Sequence, residues 1–220
     1  MKRTSITSVL TTPLARPLRR CISALSLACV AALGVAQAAP FTAGNVVIYR
    51  IGTGAATGAG SLVGTGAPVF LDEYTAAGVL VQSVALPTTV SGAQKQLVAS
   101  GTAGSEGMMS RSVDGRFMML TGYASNIPGA SSLSGTASAT VNRVVGRVDA
   151  AGNVDTSTAL SDYSTANNPR SVTSTNGTDI WVNGAAGGVR YTTLERRLLR
   201  SSARRWRICG RRAFSTGSSM

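Results

Sequence analysis

Histidine is absent from this chain, and cysteine is confined to its two ends. The 220 residues contain no His and three Cys, at positions 21, 29 and 209. Without histidine, the chain cannot build a Ser-His-Asp triad, a His-ligated zinc site or a histidine acid–base pair. Without cysteine, residues 39–193 have no disulfide framework and no thiol chemistry.

The middle of the chain also lacks an excess of charge of either sign. Residues 39–193 contain eight basic and eight acidic residues. The formal net charge of +12 therefore comes from the ends, with +5 in the first 38 residues and +7 in residues 194–220. This distribution argues against a basic nucleic-acid-binding protein, and we expect no nucleic-acid partner.

The first 38 residues have the order of a secretory signal peptide. Basic residues come first, a 16-residue apolar run follows at residues 21–36, and small residues stand at Ala36 and Ala38. Spanning a bilayer takes roughly 20 apolar residues, so a signal helix cleaved after Ala38 is favoured over a membrane anchor. We expect export to the periplasm or the extracellular space, with no stable membrane insertion after cleavage.

Residues 194–220 form a basic tail with eight arginines. One interpretation is a segment that binds an anionic membrane, with Trp206 and Phe214 among the arginines. The favoured interpretation is an out-of-frame segment, because Arg, Ser, Ala and Gly dominate when a GC-rich gene is translated in a shifted frame. In that case we expect the tail to be irregular or disordered and the preceding domain to be truncated.

Two patterns recur within residues 39–193. Residues 112–122 and 174–184 share a serine, Asp-Gly or Asn-Gly, a run of large apolar residues and a closing glycine, at an offset of 62. Residues 73–86 and 147–160 correspond around Ala-Ala-Gly, at an offset of 74. Asp-Gly and Asn-Gly favour tight turns, and the apolar runs after them have strand length. Because no window shows a helical stripe, the sequence predicts an all-β fold of short antiparallel strands.

The length of the repeating unit favours a particular all-β architecture. A unit of 60 to 75 residues with about four strands is typical of a β-propeller blade, and propellers close with about four to eight blades. Residues 39–193 have room for about two units, so we expect an incomplete propeller-like array.

Four stretches carry a resemblance to a known group of proteins. The chain resembles uncharacterised exported bacterial proteins with β-propeller-like repeats, and the resemblance covers about residues 41–193. The stretches are FTAGNVVIYRIGTG, PVFLDEYTAAGVLVQSVALPT, SRSVDGRFMMLTGY and VNRVVGRVDAAGNVDTSTAL. The resemblance implies the architecture and export, and it assigns no catalytic residue.

Acidic residues are the candidates for a metal site. The adjacent carboxylates Asp72 and Glu73 at the end of a predicted strand suit calcium, and Asp114 is a further candidate. A metal held there would support a metal-dependent hydrolase or lactonase of the propeller type. The favoured interpretation is a solvated acidic pair and a turn-forming Asp114, with no cofactor.

Aromatic and loop residues complete the candidates for function. Trp181 and Tyr123 could stack on a sugar ring, although an aromatic residue in an apolar strand is more typical of a core. Residues 52–66 and 124–139 are poor in large apolar groups and predict long mobile connections. We therefore expect a binding or structural module rather than an enzyme, with a glycan or another cell-surface ligand as partner.

Overall fold

A computed structural model describes residues 38–55, 58, 60–195 and 200–201, the last two by their backbone alone. These described residues form antiparallel strands and no helix, which confirms the all-β prediction. The same residues therefore contain no helix that could cross a membrane. The strands are β1 (Val46–Ile51), β2 (Ala67–Tyr74), β3 (Leu80–Ala85), β4 (Val98–Ala99), β5 (Ser110–Arg111), β6 (Phe117–Tyr123), β7 (Arg143–Asp149), β8 (Val154–Leu160), β9 (Pro169–Ser174), β10 (Asp179–Gly184), β11 (Val189–Thr193) and β12 (Arg200–Ser201). The predicted leader with Ala36, and Trp206 and Phe214 of the basic tail, lie outside the described residues.

The strands form three consecutive antiparallel groups. In the first sheet, β2 pairs with β1 on one edge and with β3 on the other. In the second sheet, β6, β7 and β8 follow one another, and β5 pairs with the remaining edge of β6. The short strand β4 pairs with both β2 and β6, so hydrogen bonds join the first two sheets in one eight-stranded array. The third sheet is the separate meander β9-β10-β11-β12.

The second sheet is buried on both faces. Successive residues of a strand point to opposite faces, so Leu120 and Met119 of β6 enter different cores. Leu120 belongs to a cluster with Leu71 of the first sheet. Met119 belongs to a cluster with Ile180 of the third sheet. Burial of both faces explains why β6 has a continuous apolar run instead of an alternating pattern.

Glycine turns precede the second strand of the second and third sheets. Gly115 lies before β6 with φ of 75°, and Gly177 lies before β10 with φ of 79°. A side chain rarely tolerates this left-handed conformation, which glycine adopts readily. In each turn a serine hydroxyl accepts a backbone hydrogen bond, Ser112 from Phe117 and Ser174 from Gly177 itself. Both predicted turn dipeptides therefore lie in turns.

Residues 124–139 are packed against the protein, whereas their composition predicts a mobile connection. Leu133 is fully buried in a cluster with Val98 and Tyr123. Arg143 at the start of β7 is 1% exposed, and its guanidinium donates hydrogen bonds to this connection and to the connection between β8 and β9. The accepting carbonyl oxygens belong to Ser134, Thr136, Val141, Ser164 and Asn167. One buried cation thus supplies donors for backbone groups that have no ladder partner.

Candidate functional site

A groove of about 600 Å³ opens at one end of the first sheet. Pro68, Phe70, Ala85, Leu86 and Ile127 provide its apolar lining, and Thr53, Thr88, Thr89 and Asn126 provide hydroxyl and amide groups. All nine lining residues are uncharged. A mostly apolar cavity of this size with a few polar groups is the usual form of a small-ligand site.

Two strands and three connections build the groove. Phe70 of β2 and Ala85 of β3 are direct cross-strand partners, so they lie side by side on the same face of the first sheet. Thr53 follows β1, Thr88 follows β3, and Asn126 follows β6. The Asn126 side-chain oxygen accepts a hydrogen bond of 2.9 Å from the Gln96 amide. The groove is therefore assembled from loops on a sheet scaffold, where binding residues are commonly placed.

A cation fixes the aromatic ring of the groove. The guanidinium carbon of Arg50 lies 4.2 Å from the centroid of the Phe70 ring. Arg50 also donates to both carboxylate oxygens of Asp72, to the Gly52 carbonyl oxygen and to the Ser83 hydroxyl. The hydrogen bond from Arg50 is the main cause that lowers the pKa of Asp72, so the pair is charged at neutral pH. The Phe70 ring is thus held in place by the Arg50 guanidinium, whose positive charge is neutralised by Asp72.

The predicted calcium candidates Asp72 and Glu73 face opposite sides of β2, because adjacent strand residues alternate. Glu73 is fully buried and accepts hydrogen bonds from the Thr42 backbone and from the Asn45 and Gln82 amides. Burial alone would raise the pKa of Glu73, but these hydrogen bonds outweigh it and the pKa is lowered. The structure does not bring these two carboxylates onto one face of the sheet.

Asp114 lies in the turn before β6 and stabilises that turn by hydrogen bonds. Its carboxylate accepts hydrogen bonds from the Ser112 hydroxyl and from the backbone and side chain of Arg116. The hydrogen bond from Ser112 is the main cause that lowers the pKa of Asp114. Among the described residues, no three Cys, Asp or Glu side chains lie close enough together to hold a metal ion. Calcium binding at Asp72, Glu73 or Asp114 stays a prediction.

Trp181 and Tyr123 lie in different sheets and do not form a common surface. Tyr123 of β6 is fully buried. Trp181 of β10 is half-buried and lies 5.4 Å from the ring of Tyr191, its partner on β11. Burial of Tyr123 therefore rules out the alternative of a two-residue platform for a sugar.

Glu106 is the titratable residue that sequence reasoning missed. One carboxylate oxygen accepts a hydrogen bond of 2.6 Å from the Ser100 backbone, and the other accepts one of 2.8 Å from the Tyr123 hydroxyl. Burial raises the pKa of Glu106 to about 7, although these two hydrogen bonds oppose the shift. In the sequence it is a single acid among Gly, Ser and Ala, and no spacing distinguishes it. Only its position in the fold identifies Glu106 as a carboxyl group with a shifted pKa.

Comparisons with protein-family models, with curated proteins and with solved structures found no significant match.

Proposed function

We propose that the chain is an exported, propeller-like binding module whose groove takes an uncharged, partly apolar ligand, with a neutral saccharide as the favoured class. The observation that carries this proposal is the uncharged groove around Phe70. A sugar ring has apolar C–H faces that stack on an aromatic ring, and hydroxyls that hydrogen-bond to side chains such as Thr88 and Asn126. The few polar groups of such a site fix orientation, and the apolar lining supplies contact area.

The packing of the sheets supports the propeller-like part of the proposal. Consecutive meanders pack face to face through apolar clusters, as neighbouring blades do. The hairpins β2-β3 and β7-β8 also close with the same hydrogen bond, from Gly78 to Thr75 in one and from Gly152 to Asp149 in the other. These turns are separated by the offset of 74 at which the two sequences correspond. The shared turn geometry favours related units in a series.

Binding without turnover is favoured by the chemistry of the lining. The groove side chains are those of Thr, Pro, Phe, Ala, Leu, Asn and Ile. General acid–base catalysis requires a titratable group within reach of the substrate, and a threonine nucleophile requires an activating base. Since none of the described residues that line this groove is a carboxylate, a lysine or a cysteine, the lining suits recognition rather than bond cleavage.

Calorimetric titration of the purified protein with neutral oligosaccharides, chosen from a glycan array, tests the proposal. We expect Phe70→Ala to weaken binding at least about tenfold, which corresponds to about 1.4 kcal/mol. Tyr74→Ala is the matched control, because Tyr74 lies on the same strand and face but outside the groove lining. An array without a neutral saccharide hit, or equal affinity of the Phe70→Ala variant and the wild type, would contradict the proposal.

Export is tested separately from binding. Expression of the full gene in a Gram-negative host should yield a protein in the periplasm or medium whose first residue is Ala39. Retention of the intact leader on a cytoplasmic product would refute this part without affecting the groove.

A further inference from the structure

Residues 38–42 lie across the first two sheets as a strap. The Phe41 backbone N–H donates a hydrogen bond of 2.8 Å to the Ala150 carbonyl oxygen in the turn between β7 and β8. The Thr42 backbone N–H donates one of 2.7 Å to the buried carboxylate of Glu73 on β2. The Phe41 side chain packs against the apolar cluster between the first two sheets. The strap therefore has fixed partners in both sheets.

The bond at which we expect the leader to be cleaved, between Ala38 and Ala39, belongs to this strap. Ala38 is half-buried against the same apolar cluster, and a Cβ at Gly152 would lie 2.8 Å from the Ala38 Cβ. The Ala39 carbonyl oxygen accepts a hydrogen bond of 3.0 Å from the side-chain amide of Gln82 on β3. Residues on both sides of the bond are thus held by the folded protein.

A peptidase needs the residues around the cleaved bond as an extended segment whose backbone is free. Extended peptides are bound through main-chain hydrogen bonds, with pockets for individual side chains. The side chains of Ala39 and Pro40 are exposed. The Ala39 carbonyl oxygen and the Phe41 N–H, however, already have partners in the fold, and the Ala38 side chain is packed. The docked strap is therefore a poor substrate.

We propose that the leader is removed before the strap docks, so that cleavage precedes folding of the first two sheets around residues 38–42. This order fits export as an unfolded chain, since a precursor that folds first keeps its leader. The inference rests on the export part of the proposed function and adds the order of cleavage and docking to it. In the mature chain, residues 39–42 then join the first sheet to the turn between β7 and β8.

Timed processing of the full-length precursor in cell-free translation tests this order. Purified signal peptidase is present from the start of synthesis in one sample and is added after synthesis and folding in the other. Mass spectrometry identifies the product that begins at Ala39. We expect cleavage of the folded precursor to be at least about tenfold slower, because it must await local opening of the strap. Equal rates in the two samples would overturn the inference. Absence of this product from both samples would refute the export proposal as well.

Two glycine variants distinguish docking of the strap from folding in general. Gly152 has φ of 82° and Gly78 has φ of 81°, so alanine brings similar backbone strain at both positions. An added Cβ meets Ala38 and Ala39 at Gly152, whereas the space around Gly78 is open. Gly152→Ala should therefore speed cleavage of the folded precursor at least about threefold, and Gly78→Ala should leave it near the wild-type rate. Equal rates for the two variants would contradict the proposed role of the strap.

A third variant covers the case in which Gly152→Ala does not fold. Phe41→Ala removes the side chain that packs the strap on the apolar cluster, so cleavage of the folded precursor should again become faster. The readout is the ratio of this rate to the rate during synthesis, because the ratio cancels a direct effect of the substitution on recognition by the peptidase. A folded Phe41→Ala precursor with the wild-type ratio would overturn the inference.

Discussion

Arg143 is a residue whose side chain binds the longest irregular connection between the described strands, the one from β6 to β7. Its guanidinium reaches carbonyl oxygens on both sides, at Thr136 and Val141 in one loop and at Ser164 in another. We predict that Arg143→Lys lowers the free energy of unfolding by at least about 2 kcal/mol, because an ammonium group cannot replace donors pointing in several directions and leaves buried acceptors unpaired.

Urea denaturation measures this effect. The matched control is Arg170→Lys, since Arg170 is exposed and should tolerate the change within about 0.5 kcal/mol. Equal stability of the two variants would show that the guanidinium bonds of Arg143 contribute little.

Buried polar residues are also where sequence reasoning falls short at this scale. Arg143 is buried and Glu106 is half-buried, and in both cases the burial depends on loops whose course no periodic pattern specifies. Asp72 and Glu73 show the opposite case, because adjacency in sequence suggests a shared site whereas strand alternation separates them. The groove was not predictable either, since its lining comes from five segments between Thr53 and Ile127 that only the fold brings together.

The turn before β10 offers a test at the scale of structural elements. Gly177 has φ of 79°, and a Cβ there would lie 2.5 Å from the ring of Phe117. Gly78 in the β2-β3 hairpin has φ of 81° but open space around it. We predict that Gly177→Ala lowers the free energy of unfolding by about 2 to 3 kcal/mol and Gly78→Ala by about 1 to 2 kcal/mol.

The difference between the two variants isolates the contact from the backbone strain. The difference in free energy is measured in urea denaturation, as the shift in the midpoint concentration when the slope m is the same for both variants. If both variants lose the same free energy, Phe117 moves aside without cost, and the turn does not depend on close packing between the second and third sheets.

The sequence predicts a strand most clearly where an apolar run and a glycine turn occur next to each other. The strands β6 and β10 each have an apolar run after a glycine turn, and both are present. The two-residue strands β4 and β5 have no such signal, because they are defined by pairing with β2 and β6 rather than by their own sequence. The packing of residues 124–139 is not predictable for a related reason, since it depends on burial of Leu133 and on the guanidinium of Arg143 at the start of the next strand.

The outer face of the first sheet is the main apolar surface that we expect to affect behaviour in solution. Val46, Ile48, Leu80 and Val81 are each about half exposed on β1 and β3. Exposed apolar clusters of this kind promote association. We predict that the double change Ile48→Thr and Leu80→Thr reduces concentration-dependent self-association in sedimentation velocity, while the free energy of unfolding stays within about 0.5 kcal/mol of the wild type. Unchanged association would exclude this face as its cause.

At the scale of the whole molecule, the second sheet couples the two cores. Leu120 packs toward the first sheet and Met119 toward the third, although they are neighbours on β6. We predict that Leu120→Ala and Met119→Ala each lower the free energy of unfolding by about 2 to 5 kcal/mol, because each leaves a cavity in a fully buried cluster. Val113→Ala is the control, since Val113 is 81% exposed and should change stability little.

Hydrogen exchange distinguishes coupled cores from independent ones. If β6 transmits the loss of stability across the second sheet, each variant should lower hydrogen-exchange protection in both neighbouring sheets. Leu120→Ala should then lower the protection of β10 as well as β2, and Met119→Ala should lower the protection of β2 as well as β10. A loss confined to the sheet that each side chain contacts would mean that the two interfaces unfold separately. The coupled result is expected because β6 and β7 contribute side chains to both clusters, so a loss of packing on one face destabilises the sheet that supports the other face.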